Sequence, residues 1–253
     1  GEIYAYWGLA GPGIRGARLD PKNPRQLLTD VRVLFKFNPD HEWERLGEFN
    51  EDASRSYVEG PWMLKAQGRY FLTYAAPGTE LNSYGMGCYV SDKPLGPFTY
   101  QDRNPILRDT TGLVTGPGHG CLTHGPNGTL WAFYTCLVRN QHFFERRVGM
   151  DPAGFDEEGN LFVRGASEIP QGAPGKIPHP ENGNDPGFLP VSVNHVSRAS
   201  SEKEGRESPY AIDNNMRTWW EPEDGDKKPW IEVDCRNEFR MAGVRLCWAE
   251  PGL

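Results

Sequence analysis

The sequence predicts an all-β protein, and three features of it lead to that prediction. Short runs of alternating apolar and polar residues recur along the chain, and turn-forming residues separate them. The 3.6-residue periodicity of an amphipathic helix is almost absent. The 253 residues include 30 Gly and 22 Pro, and 12% of them are aromatic. This composition suits many turns and flat apolar side chains better than it suits a helical bundle.

Two stretches of the chain repeat one four-stranded plan, and the opening residues fit part of a third. In the first stretch, strands are predicted at 61–65, 69–74, 84–90 and 98–100, with a turn at Gln67-Gly68. In the second, strands are predicted at 119–123, 130–134, 147–150 and 161–163. The residues up to about Leu34 resemble the outer part of a third unit. Four-stranded units that recur at about 40 to 60 residues are typical of β-propeller blades, and the pattern alone leaves an irregular β-sandwich equally open.

A change of composition divides the chain. Proline and glycine crowd residues 169–190, where apolar periodicity is almost lost, and this predicts a linker or a strap over a surface. The stretch separates a first domain, 1–168, from a second domain, 191–253. In the second domain, strand patterns resume at 230–234 and 244–248.

Charge and hydropathy exclude two classes of partner. The formal net charge is −7, from 27 Lys and Arg against 34 Asp and Glu. No basic stripe is present to neutralise phosphates, so we expect no nucleic-acid partner. No apolar run approaches the roughly 20 residues that span a bilayer. The chain begins inside an alternating strand at Gly1 and stops just after another at Leu253, so we expect it to be a piece of a longer chain.

Glu59 is a candidate general acid. It lies in Tyr57-Val58-Glu59-Gly60-Pro61-Trp62, where the neighbouring apolar residues are expected to desolvate its carboxyl group. Desolvation raises the pKa of a carboxylic acid, as a general acid near neutral pH requires. An ordinary exposed glutamate before a strand stays open as the alternative.

His119 and Arg146 are the other polar candidates. His119 lies in Gly116-Pro117-Gly118-His119-Gly120, where the glycines suggest a chain forced close to an ion or a substrate. A core histidine bonded to the backbone is equally open. Strand alternation places Arg146 on one face with Val148, so it is predicted to point inward, with Arg147 as the fallback. Paired arginines that are simply solvated remain an alternative.

With these candidates in place, residues 1 to about 165 resemble glycoside hydrolase family 43, the five-bladed propeller hydrolases that act on arabinofuranosides, xylosides and related sugars. Seven segments match in order: Tyr4-Ala5-Tyr6-Trp7-Gly8, Trp43-Glu44-Arg45, Val58-Glu59-Gly60-Pro61, residues 68–74, residues 90–98, Asn104-Pro105-Ile106-Leu107 and Gly116-Pro117-Gly118-His119-Gly120. The fold class implied is a partial five-bladed β-propeller, all-β, that comprises about three blades.

The resemblance implies an inverting hydrolysis of O-glycosidic bonds in a polysaccharide or oligosaccharide. Glu59 matches the family's general acid and Arg146, or Arg147, its inward arginine. His119 matches the axial histidine beneath the active site, which helps to hold a calcium ion through water rather than directly. No cofactor is implied for the chemistry. A secreted protein, extracellular or periplasmic, is implied, with any signal peptide outside this chain.

The departure from the family pattern concerns the other two carboxylates. The family's general base and the aspartate that tunes the pKa of the acid lie on blades that would precede Gly1. Asp20 follows an outer-strand pattern and is predicted to lie in a surface turn. We therefore expect this chain to be catalytically incompetent by itself, with about two blades missing.

Three tryptophans are candidates for substrate binding near Glu59. Trp7, Trp43 and Trp62 offer flat apolar faces on which a sugar ring can stack. Propeller cores also bury tryptophan, so a structural role stays open for each.

The second domain resembles the front half of a coagulation factor V/VIII type C (discoidin) domain, a jelly-roll β-sandwich shared with carbohydrate-binding module family 32. The matching segments are Ala199-Ser200-Ser201, Pro209-Tyr210-Ala211-Ile212-Asp213, Thr218-Trp219-Trp220, residues 229–234 and Val244-Arg245-Leu246. The resemblance implies a structural calcium held by Asp213, Asn215 and Thr218, whose oxygen atoms suit the ion. An Asx turn without metal is equally open.

Two functions from different classes follow. The first is a secreted exo-acting glycosidase with an appended sugar-binding domain, which would keep the polymer near the active site. The second is a non-catalytic carbohydrate-binding or adhesion protein with a degenerate propeller. The segment Gly116-Pro117-Gly118-His119-Gly120 disfavours a third interpretation, a sucrose-type fructosidase or a glycoside phosphorylase.

Overall fold

A computed structural model describes residues 1–9, 11–137, 145–168 and 190–249. In these ranges the regular structure is β apart from three short 3₁₀ helices, Glu42–Glu44, Pro126–Gly128 and Ser208–Ala211, so the all-β prediction is confirmed. None of the helices in the described ranges has the length and apolar character to cross a membrane. The predicted linker 169–190 lies, except for Pro190, outside the described residues.

The first sheet has three antiparallel strands, β1 (Ile3–Gly8), β2 (Ile14–Leu19) and β3 (Arg32–Phe35), in that order. In its register Tyr6 lies opposite Gly16. A Cβ at Gly16 would lie 3.2 Å from the Tyr6 ring, so the glycine leaves room for the aromatic side chain across the strand pair.

The second sheet corresponds to the first predicted four-stranded unit. Its strands run in the order β4 (Glu59–Ala66), β5 (Arg69–Ala76), β6 (Gly85–Ser91) and β7 (Thr99–Tyr100). A further short strand, β8 (Leu107–Arg108), pairs with β6. Gln67 and Gly68 both have positive φ, 49° and 74°, the backbone of the tight turn that joins two twisted strands.

The third sheet corresponds to the second predicted unit. Its strands are β9 (Thr115–His124), β10 (Leu130–Leu137), β11 (Arg146–Phe155) and β12 (Leu161–Val163), and each pairs antiparallel with the next. β9 and β11 are longer than their apolar patterns predict. Their additional residues pair with the ends of β10, with Thr115 and Arg146 both opposite Leu137.

The three sheets stand side by side as blades. Their first strands are neighbours in space, because β1 contacts β4 and β4 contacts β9. These innermost strands converge on a common axis, as in a β-propeller. The partial propeller predicted from the repeats is therefore confirmed.

Two apolar clusters fill the spaces between successive blades, and β5 contributes to both. Phe71 packs in the cluster between the second and third blades, and Leu72 packs in the cluster between the first and second. Both side chains are fully buried. Burying a side chain of this size contributes about 1.5–3 kcal/mol. Successive residues of a strand point to opposite faces of its sheet. A strand of the middle blade, which packs against a blade on each side, is therefore apolar on both faces.

The described residues after 190 form a two-stranded antiparallel sheet of β13 (Val196–Ala199) and β14 (Ile231–Asp234). The strand predicted at 244–248 is absent, and Val244 and Leu246 are 79% and 67% exposed. A strand needs a hydrogen-bonding neighbour, and no described strand lies beside this one. The jelly-roll sandwich stays a prediction.

This second part of the chain contacts the propeller through two carboxylates. Asn214 Nδ2 donates to Glu168 Oε1 and Oε2, at 3.1 and 3.2 Å, and Leu113 N donates to Oε1 of the same carboxylate at 2.7 Å. Arg217 Nη2 lies 3.2 Å from Glu48 Oε1. Glu168 and Glu48 therefore hold the loop 213–218 against the blades.

Candidate active site

A cleft of about 740 Å³ opens where the three innermost strands meet. Its lining comes from β1, β4 and β9 and from the neighbouring strands β10 and β11. Among the described residues that line it, Glu59 is the only one with a carboxylate, and His119 lies beside it. The cleft brings together residues that are up to 142 positions apart, from Tyr6 to Val148.

Glu59 is the first residue of β4 and is held at the floor of the cleft. Its side chain is 17% exposed. Oε1 accepts a hydrogen bond of 2.8 Å from the Tyr84 hydroxyl, and His119 Nδ1 lies 3.7 Å from the same oxygen. The pairing of β4 with β5 is irregular between Glu59 and Trp62, and Gly60 has φ of +59°. This bulge turns the Glu59 carboxylate out of the ladder and toward the axis.

The pKa of Glu59 is shifted in the direction opposite to the prediction. The interaction with His119 is the largest cause and lowers the pKa. Desolvation raises it, but the Tyr84 hydrogen bond and the charges of His119 and Arg146 also lower it, and the lowering effects prevail. The carboxylate in turn raises the pKa of His119. In this arrangement the pair favours an ionised Glu59 beside a protonated His119.

The glycines around His119 make room for protein side chains. A Cβ at Gly118 would lie 2.2 Å from the Tyr84 ring, and a Cβ at Gly120 would lie 2.7 Å from Met86 Sδ. His119 itself has φ of +46°, and its side chain is 54% exposed. It is therefore a cleft residue and not a core histidine, and the close approach inferred from the glycines is to Tyr84 and Met86.

Of the two arginines that begin β11, Arg146 lies on the side of Glu59. Its Nη1 donates to Thr79 Oγ1 at 2.7 Å, and its charge contributes to the lowered pKa of Glu59. Arg147 donates to the carbonyl oxygen of Arg146 at 3.0 Å, and its backbone accepts from the Cys136 thiol. The placement is that expected of Arg146, and its role in catalysis stays a prediction.

The structure separates the three candidate tryptophans. Trp7 and Trp62 line the cleft and are 36% and 42% exposed. Trp43 is only 7% exposed, packs in the apolar cluster between the first two blades, and donates from Nε1 to the Tyr100 hydroxyl at 2.8 Å. The prediction that Trp43 stacks on a sugar is wrong for this structure, because its indole ring is covered by the protein core.

Asp20 is placed in a surface turn, as its sequence context predicts. Its Oδ1 accepts a hydrogen bond from Lys22 N at 2.8 Å, immediately after β2. It does not line the cleft. Inverting hydrolysis needs a second carboxylate across the sugar from the acid, and the described part of the cleft does not supply it.

The predicted calcium loop is closed by hydrogen bonds of its own. Asp213 Oδ1 accepts from Asn215 N at 3.0 Å, and Asp213 Oδ2 accepts from Thr218 Oγ1 at 2.6 Å. Oxygen atoms of these types suit calcium, but an Asx turn accounts for the geometry without an ion. In the portion of the chain that the structure describes, no group of three or more His, Cys, Asp or Glu is arranged to hold a metal ion, at this loop or at His119.

Two polar groupings were not predicted from the sequence. Tyr84 and Thr79 belong to the loop before β6 and stand behind Glu59. Farther from the cleft, Glu44 is fully buried and accepts hydrogen bonds from His41 Nδ1 at 2.7 Å and the Tyr74 hydroxyl at 2.5 Å. The sequence offered one signal for Glu44, a charged residue directly after a tryptophan of the matching Trp43-Glu44-Arg45 segment, and none for Tyr84.

The chain is similar to known enzymes over part of its length. The beta-D-galactofuranosidase xynD of Aspergillus niger is 31% identical over 116 residues, which cover 46% of this chain and 34% of the relative. The extracellular exo-alpha-(1->5)-L-arabinofuranosidase of Streptomyces chartreusis is 33% identical over 137 residues, which cover 51% of this chain and 39% of the relative. The chain therefore spans well under half of the length of these curated relatives.

Solved structures agree with the fold. A thermostable family-43 glycoside hydrolase matches with a TM-score of 0.56 at 25% identity, over 69% of this chain and 57% of that one. An exo-1,5-alpha-L-arabinanase from a bovine ruminal metagenomic library, at 18% identity and a TM-score of 0.51, shares the fold over 66% of this chain and 55% of its own.

The family match covers the three blades up to the first residue of β12. The family described as "Glycosyl hydrolases family 43" matches residues 1–161, which include all three innermost strands and the cleft that holds Glu59. With more than half of its residues matched, the chain belongs to glycosyl hydrolase family 43.

Proposed function

We propose that this chain is part of an enzyme that hydrolyses O-glycosidic bonds at the ends of polysaccharide side chains or oligosaccharides, with Glu59 as its general acid. The observation that carries the proposal is the placement of Glu59. It lies on the floor of a cleft at the meeting point of the innermost strands, held by Tyr84 and His119, in a chain of a glycosidase family.

We propose that the cleft takes the terminal sugar of the substrate. Trp7 and Trp62 supply partly exposed aromatic faces on which an apolar face of a sugar can stack. The relatives are a galactofuranosidase, a xylosidase and an arabinofuranosidase. Arabinofuranose, xylose and galactofuranose are accordingly the sugars to test first.

Glu59 acts by giving its proton to the glycosidic oxygen as the bond to the anomeric carbon breaks. Because His119 and Tyr84 favour its ionised form, another group must raise its pKa when substrate binds. A second carboxylate must also activate the attacking water. We propose that both come from residues outside the described cleft, and that this chain alone does not turn over substrate.

Three further parts of the proposal concern the rest of the protein. Residues 191–253 serve as an appended carbohydrate-binding domain of the discoidin type, the enzyme acts in an extracellular or periplasmic compartment, and calcium has a structural role. For calcium, the loop of Asp213, Asn215 and Thr218 offers the oxygen atoms, and His119 the contact through water. A melting temperature that is the same in calcium and in a chelator would remove this part of the proposal.

The test of the acid is Glu59→Gln in the full-length protein, with hydrolysis of oligosaccharides measured by reducing-sugar release. The amide keeps the oxygen that accepts from Tyr84 and removes the proton to be donated. We expect a loss of about 100-fold or more. The matched control is Glu42→Gln, because the Glu42 side chain is 82% exposed and lies outside the cleft. Unchanged hydrolysis in Glu59→Gln would contradict the assignment, and sugar binding without hydrolysis by the unmutated protein would favour a non-catalytic binding protein.

A further inference from the structure

A row of polar side chains runs from Arg146 to Glu59 behind the cleft. Arg146 Nη1 donates to Thr79 Oγ1 at 2.7 Å. The Thr79 side chain interacts with the Tyr84 hydroxyl and lowers its pKa, and the Tyr84 hydroxyl donates to Glu59 Oε1 at 2.8 Å. Four side chains from three different strands and loops are linked in this way.

Arg146, at the start of this row, determines the direction of the hydrogen bonds that follow. An arginine side chain can only donate, whereas a hydroxyl group can accept one bond while it donates another. Thr79 accepts from Arg146, which leaves its own proton available for the oxygen of Tyr84. The Tyr84 hydroxyl donates its proton to Glu59. Hydrogen bonds aligned in one direction polarise one another, so the positive charge of Arg146 is felt at the carboxylate.

Burial keeps Tyr84 in the donor role. The side chain is fully buried, and both desolvation and the neighbouring Glu59 raise the pKa of its hydroxyl well above the ordinary value. It therefore stays protonated throughout the pH range of an enzyme assay. Its ring lies against Gly118, where a Cβ would come within 2.2 Å, so the ring cannot shift toward β9.

The described contacts of the Glu59 carboxylate, from Tyr84 and from His119, are both made to Oε1. Oε2 is then the oxygen that carries the proton to the substrate. When that proton moves to the glycosidic oxygen, the electron pair of the breaking C–O bond stays with that oxygen and Glu59 is left as a carboxylate. A donor fixed on Oε1 stabilises the carboxylate more than the acid.

We propose that Tyr84 is a positioning residue for Glu59: held by its buried ring, with Thr79 and Arg146 behind it, its hydroxyl fixes Oε1, directs Oε2 to the leaving oxygen and stabilises the carboxylate that forms in the reaction. The proposal rests on the function proposed for Glu59 and adds a residue that acts through it.

The test is Tyr84→Phe in the full-length protein, read as the pH dependence of kcat/KM. An acid must be protonated to act, so activity falls as the pH rises through its pKa. Removing a donor to the carboxylate raises that pKa, and we expect the basic limb to move up by about one pH unit. Thr79→Val keeps the Tyr84 hydroxyl but removes the hydroxyl group between Arg146 and Tyr84. We expect it to move the basic limb in the same direction by a smaller amount.

The matched control is Tyr89→Phe. Tyr89 is also buried, lies five residues farther along on β6, and packs on Phe35 with ring centroids 4.0 Å apart. The same loss of a hydroxyl group there should leave the basic limb in place. A basic limb that stays fixed in both Tyr84→Phe and Thr79→Val would overturn the proposal, and Thr79→Val alone decides if Tyr84→Phe does not fold.

A second readout separates this proposal from the function on which it rests. Carbon-13 NMR of labelled glutamate, with the Glu59 signal assigned by its loss in Glu59→Gln, gives the pKa of Glu59 without any substrate. If this pKa rises in Tyr84→Phe but the basic limb of activity does not follow, the hydrogen bond from Tyr84 to Glu59 is supported and Glu59 is not the acid. If the pKa does not move while Glu59→Gln still abolishes hydrolysis, Glu59 is the acid and the role of Tyr84 is refuted.

Discussion

Replacing Gly60 with alanine tests the contact between β4 and the His119 ring. Gly60 has φ of +59°, a conformation that costs a residue with a Cβ about 1–2 kcal/mol. A Cβ there would also lie 3.0 Å from Cγ and Cδ2 of His119 and 3.1 Å from Nδ1. Ordinary carbon contacts are longer by several tenths of an ångström, so the ring must move away.

Gly68, in the turn that follows β4, supplies the matched control. It has φ of +74°, and nothing lies within 4 Å of the position that its Cβ would take. Gly68→Ala therefore bears the backbone strain alone. Gly60→Ala bears the same backbone strain and also displaces the His119 ring. We expect its free energy of unfolding to be about 1–3 kcal/mol lower than that of Gly68→Ala. The measurement is urea unfolding of both variants.

The displacement has a second consequence in the cleft. His119 is the largest cause of the lowered pKa of Glu59, so moving the ring beyond its present 3.7 Å should raise the pKa of Glu59 in Gly60→Ala and leave it unchanged in Gly68→Ala. Carbon-13 NMR titration measures it in each. Two variants with the same unfolding free energy and the same pKa for Glu59 would refute the contact.

Two further predictions concern stability. The pKa of Glu59 is lowered in the folded protein, so its carboxylate stabilises the fold above pH 4.5, the ordinary pKa, and this stability is lost as the pH falls through the pKa of the folded state. The pKa of His119 is raised, so its imidazolium stabilises the fold below pH 6.5, and this stability is lost as the pH rises through the pKa of the folded state. The loss of unfolding free energy in His119→Asn should therefore be largest between pH 4.5 and 6.5. We expect about 0.2–1 kcal/mol, because the histidine side chain is half exposed. A loss that does not depend on pH would contradict the interaction between Glu59 and His119. Glu44→Ala should cost about 3–5 kcal/mol, since it leaves the partly buried donor His41 and the buried donor Tyr74 without their acceptor. A cost below about 1 kcal/mol in chemical denaturation would contradict that network.

The blades could be predicted from the sequence because their patterns are local. β5, β6 and β10 are runs of mostly apolar and aromatic residues bounded by turn-forming residues, and the Gln67-Gly68 turn is readable from its residue types. β8 has only two residues, Leu107 and Arg108, and is defined by its pairing with β6. A pattern that short carries no period.

The candidate site was only partly predictable for the same reason. The residues beside Glu59 in the sequence suggest desolvation and a raised pKa. The residues that determine its pKa, Tyr84 and His119, are 25 and 60 positions away and arrive through the folding of the second and third blades. Likewise, nothing next to Trp43 shows that Tyr74 and Tyr100, from the second blade, cover it.

The account depends most on Glu59 as the proton donor, and the leaving-group dependence of Glu59→Gln tests it most directly. In the full-length enzyme, kcat/KM of the wild type and the variant is measured on a series of aryl glycosides from good to poor leaving groups, and on a natural oligosaccharide. A good leaving group departs without a proton. The loss should therefore be slight for the best leaving group, grow along the series and reach about 100-fold or more on the oligosaccharide. An equal loss along the whole series would contradict the central claim.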